Sequence, residues 1–94
     1  MIEKLDGKFH GEIFRNKDNR VEPVDSWIVF VARDNALIPT LEFYYHECKR
    51  QGAALPQLEA INELIQRVNK WRNSNPEKCK VPDVEPGELS WEKE

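Results

Sequence analysis

Four side chains of the kind that bind metal ions, His10, His46, Cys48 and Cys79, are scattered along this chain of 94 residues. Their spacing argues against a metal centre. His46 and Cys48 stand two apart in a stretch of helical pattern and so point about 200° from each other, which keeps them from sharing one ion. A nucleophile is no better placed. Ser26, Ser74 and Ser90 fall in loop segments with no histidine close by in the chain, and Glu42 and His46 form a four-residue step that reads as a solvated helix contact. No glycine-rich phosphate loop is present. Neither catalysis nor a cofactor is expected, and Cys48 and Cys79 lack redox spacing and read as reduced thiols.

Binding chemistry is better represented. Arg33-Asp34-Asn35 places a guanidinium beside a helix N-terminus, whose free amides and positive dipole end attract phosphate or carboxylate. The same tripeptide also reads as a helix cap with an Arg–carboxylate pair. Further on, Arg67, Lys70 and Arg72 close a second helical segment, with Arg72 on its apolar side one turn after Val68. Arg72 either snorkels from the core edge or lines an intersubunit pocket with Phe43 as the stacking surface. Phe43 lies opposite the apolar stripe of its own helix, beside Ala36, Thr40 and Glu47, and so marks a partner or ligand surface.

The elements that position these residues centre on the stretch 25–51. Trp27, Val29 and Val31 alternate with Ile28, Phe30 and Ala32, giving a strand that is apolar on both faces. Such a strand needs cover above and below, and a chain of this length supplies one helical layer. Association of copies is therefore expected. Upstream, Lys8–Arg15 alternates as a first strand, with Gly11 marking either a bulge or a close backbone approach. Asp18-Asn19 suits the left-handed positions of a hairpin turn, and Pro23 marks an edge or a break.

At Arg33 the period changes from that of a strand to that of a helix. Asp34 or Asn35 is expected as N-cap, Pro39 belongs in the first turn, and Leu37, Leu41, Tyr44, Tyr45 and Cys48 share one side. Gly52 ends this helix after Lys49-Arg50. Pro56 starts a second helix, 57–73, on which Leu58, Ile61, Leu64, Ile65, Val68 and Trp71 form one broad stripe. So short a link predicts an antiparallel helical hairpin. Residues 75–94 carry Pro76, Pro82 and Pro86 and exclude helix; Val81, Val84, Leu89 and Trp91 suit an extended tail lying on its own body or on a neighbouring subunit.

Apolar residues at 39% with charged residues at 33% fit a soluble globular class. The longest apolar run, six residues, is far below a membrane span, and the chain opens without the pattern of a signal peptide, so a cytoplasmic location is expected. The net charge of −3 resides in the tail, and residues 1–74 are neutral overall. A neutral body lacks the basic footprint that duplex nucleic acid demands.

The order of a β-hairpin, then WIVFVARDNAL, then a helix with FYYHEC, then ELIQRVNKWRNSNPEKCKVPD resembles small phage and prophage proteins, and is similar to the phage Thoeris anti-defence sponge proteins of the first type. That resemblance implies an N-terminal antiparallel sheet followed by two helices. It also implies an oligomer that holds cyclic ADP-ribose signals, or cyclic oligonucleotides, between subunits without cleaving them. The expectations that result are an α+β fold, with an N-terminal antiparallel β-hairpin or small sheet on a two-helix hairpin. Residues 1–74 form one ββαα domain, followed by an acidic tail, 75–94. In the sponge reading Arg33 and Arg72 neutralise phosphates, Phe43 stacks on a base and Asn35 supplies a hydrogen bond. The alternative is a protein-binding phage inhibitor or accessory module that acts through the sheet face and the tail.

Overall fold

The computed structural model describes residues 7–23 and 26–89. The leader 1–6, Asp25 at the start of the central stretch, and Ser90 and Trp91 of the tail lie outside the described residues. Contacts divide the chain into two compact units, one spanning Phe30–Pro82 and one formed by residues 1–29 with 83–94.

In the unit Phe30–Pro82, α1 (Leu37–Arg50) and α2 (Leu55–Ser74) are followed by a 3-10 turn at Pro76–Lys78. The start of α1 is built by Asp34. Its carboxylate accepts from the Ala36 amide at 2.7 Å, and its carbonyl accepts from Leu37 at 3.1 Å. Ala36 rather than Asp34 or Asn35 occupies the capping position, and the Thr40 hydroxyl donates back to the Ala36 carbonyl at 2.7 Å. Pro39 sits in the first turn, where an absent N–H leaves no gap. At the other end Gly52 adopts φ +83°, and the amides of Gly52 and Ala53 satisfy the Lys49 and Cys48 carbonyls at 3.1 and 2.9 Å.

Leu37, from the first turn of α1, packs with Leu41 and with Val68 late in α2, so the two helices run antiparallel. Ala32, Ile38 and Ile65 lie against this cluster, and Leu58 and Ile61 are buried as well. Val68 therefore meets its partners where the stripe predicts. Leu64 and Trp71, members of the same stripe, stay exposed at 36% and 37%.

The expected α+β architecture is not what forms. Among the described residues there is no β-strand and no sheet, and the molecule is mainly helical. Pairing reduces to two isolated bridges, Phe14 with Val21 antiparallel and Asp34 with Lys80 parallel. From Trp27 to Val31 burial alternates, with Ile28 and Phe30 exposed and Trp27, Val29 and Val31 half-buried, and the alternation ends at Ala32, which is half-buried against the core. Six apolar residues in a row do not say which face turns inward, and a strand needs a backbone neighbour as well. The segment read as its neighbour is folded on itself. Asn19, at φ +57°, bends the chain so that the Arg15 amide donates to Arg20 and the Glu22 amide to Ile13, both at 2.8 Å. A two-stranded reversal this short is marginal as a sheet.

That reversal belongs to the other unit, where ion pairs hold it. Arg15 bonds Asp18 at 2.6 Å and approaches Glu22 at 3.7 Å. In the same unit Lys8 donates to the Asp83 carbonyl and faces Glu88 at 3.9 Å.

A candidate binding groove on the helical hairpin

Arg72 is the residue whose placement decides how the junction works. One of its terminal nitrogens donates to the Ala32 carbonyl at 3.0 Å and to the Asp34 carbonyl at 3.1 Å; the other donates to the Asn35 side-chain oxygen at 2.8 Å. The last turn of α2 is thereby tied to the start of α1. Arg33 joins the same knot through its backbone: the Lys80 amide donates to its carbonyl and the Asn35 amide donates to Lys80, each at 2.9 Å. Three of the four residues read as ligand contacts, Arg33, Asn35 and Arg72, thus meet at one place. Their described bonds are to protein. Phe43 lies elsewhere, 74% exposed on the flank of α1 opposite Leu37 and Leu41.

A groove of about 520 Å³ lies beside that knot. Leu37, Leu41 and Val68 form its floor, Ala32 and Leu64 its sides, and Phe30, Trp71 and Arg67 its rim. Its origin is geometric. At 100° per residue the apolar positions of α2 span an arc of about 140° from Trp71 to Leu58, wider than the face one neighbouring helix covers. Leu58, Ile61 and Val68 are covered, and the Leu64–Trp71 edge is left open. Reading the stripe as a single core missed this surplus; the width of the arc, with Arg67 set at its margin, is the signal that carries it.

Elsewhere on α1 the Arg50 guanidinium, helped by the Gln51 amide, holds the Glu47 carboxyl down at about 2. The Cys48 thiol, hydrogen-bonded one turn along, pushes the Tyr44 phenol above its ordinary value. Cys48 and Cys79 are both free. Among the described residues no group of three or more His, Cys, Asp or Glu side chains gathers as a metal site, and no helix is long and apolar enough to cross a membrane.

No protein-family model, no curated protein and no solved structure matches this chain.

Proposed function

We propose that this chain is a binding protein without catalytic activity, and that the groove between Phe30 and Trp71 holds a planar, largely apolar ligand carrying an anionic group. A single observation carries the reading: two aromatic side chains and one guanidinium border an otherwise apolar groove whose volume lies in the range of small-molecule sites. Aromatic faces stack on a planar ring system, and Arg67 offers a charge-assisted bond to a phosphate or carboxylate. One arginine suits a ligand of low charge. A cyclic nucleotide signal, the ligand class implied by the resemblance to anti-defence sponges, is more polar and more highly charged than this description and meets it in part, through a base against Trp71 and one phosphate on Arg67. The free thiols of Cys48 and Cys79 suit work in a reducing compartment such as the cytoplasm.

Calorimetric titration with cyclic ADP-ribose, a cyclic dinucleotide and indole-3-carboxylate tests this. At least one probe binds, and Arg67→Ala weakens it by roughly tenfold to a hundredfold. Binding that survives both Arg67→Ala and Trp71→Ala, or no binding of any probe at millimolar concentration, rejects the groove.

A second reading, a protein-binding accessory module, is favoured by the exposed Val84 of the acidic tail. In that case Val84→Asp abolishes partner binding while Arg67→Ala leaves it intact.

A further inference from the structure

The groove lacks a wall along α2, and the charges beside the gap are sorted by position. Ala60, Leu64 and Trp71 form a narrow apolar line, and along one flank of it run Glu59 and Glu63, then Arg67 and Lys70. All four charged residues are exposed. Glu63 and Arg67 stand at the four-residue spacing that favours an ion pair within a helix, yet among the described residues none of the four makes one. The acidic half of this flank precedes the basic half.

We infer that a second copy of this chain supplies the missing wall, its α2 lying antiparallel on the Ala60–Leu64–Trp71 line about a two-fold axis near Ile65. The symmetry brings like flanks together and reverses their direction. Glu63 of each copy then faces Arg67 of the other, and Glu59 faces Lys70. A parallel pair, with its two-fold along the helices, would put the two charged flanks on opposite sides of the contact and leave them without partners, so only the antiparallel arrangement makes use of the charge order. Leu64 and Trp71 of both copies fill the centre, on a 20-residue helix of about 30 Å. The second copy takes Arg67 and covers Trp71, the same side chains that the groove reading gives to a ligand, so partner and ligand compete for this edge of α2.

Sedimentation equilibrium between 5 and 100 µM tests it on the full chain. The wild type is a dimer, and Glu63→Arg and Arg67→Glu each raise the dissociation constant at least tenfold. The double variant E63R/R67E recovers wild-type association, because the swap restores the pairing in trans. Glu59→Lys with Lys70→Glu repeats the logic at an independent pair. A monomeric wild type at 100 µM, single reversals that still dimerise, or double variants that stay monomeric overturn the proposal. Titration of Glu63→Arg, which leaves Arg67 and Trp71 in place, with cyclic ADP-ribose and indole-3-carboxylate separates the two ideas: a monomeric variant that binds neither refutes the groove alone, and a monomeric wild type that binds either refutes the dimer alone.

Discussion

Arg72 shows how one side chain can be consumed by architecture. Its two terminal nitrogens serve the Ala32 and Asp34 carbonyls and the Asn35 side chain, so its removal loses three bonds and takes the Arg72 donor from the part-buried Ala32 carbonyl, while the Asp34 carbonyl keeps the Leu37 amide. Arg72→Ala is predicted to destabilise the fold by about 2 kcal/mol, read as a lower urea midpoint. Arg72→Lys recovers little, because one ammonium cannot span a forked set of acceptors. Glu47 offers a pH prediction at the same scale. Its carboxyl is held at about 2, below its ordinary range, so its contribution is present above the ordinary carboxylate value and is lost as pH falls toward 2. Helix ellipticity of the wild type falls between about pH 4.5 and 2 more than that of Glu47→Gln. The sequence points to Arg72 as unusual, since a cation on the apolar side of α2 needs a reason. What it cannot show is that the acceptors are main-chain carbonyls, which leave no mark on residue type.

At the scale of elements, the helices follow from side-chain spacing and the strand does not. Leu58, Ile61 and Val68 recur at helical steps and are buried together, because an α-helix satisfies its own backbone and needs only a covered face. Trp27–Ala32 is an unbroken apolar run of β-favouring residues, but a strand depends on a second segment whose pairing lies outside its own residues. The turn at Asn19 is legible for the helical reason, being local: its left-handed backbone is tolerated by the residue itself. Gly52 is local too. Its φ is +83° and the space where a Cβ would stand is open, so Gly52→Ala meets no clash. That substitution destabilises by about 1 kcal/mol through backbone strain alone, measurable as a lower melting temperature. Leu41→Ala acts through packing instead. Leu41 is buried with Leu37 and Val68, and its truncation is predicted to lower stability by about 2–5 kcal/mol in urea unfolding.

Seen as a whole molecule, the chain buries little: among the described residues the buried apolar side chains are Leu37, Leu41, Leu58, Ile61 and Val68, all within one helical hairpin. Exposed Phe30, Leu64 and Trp71 border the groove that the function proposal rests on. The sequence places apolar surface in want of cover on Trp27–Ala32, where Ile28 and Phe30 are exposed; the exposed edge of α2 at Leu64 and Trp71 is a second such surface, which is not foreseen there. The expected contacts Arg33, Asn35 and Arg72 mark the knot beside the groove, and Phe43 marks a separate surface. Amide chemical-shift mapping of the labelled protein, titrated with cyclic ADP-ribose and with indole-3-carboxylate, asks the groove itself whether it binds. For at least one compound the largest changes are expected on Phe30, Leu37, Leu41, Leu64, Arg67 and Trp71. Changes centred on Phe43 or on Val84, or none with either compound, would rule the groove out as the binding site.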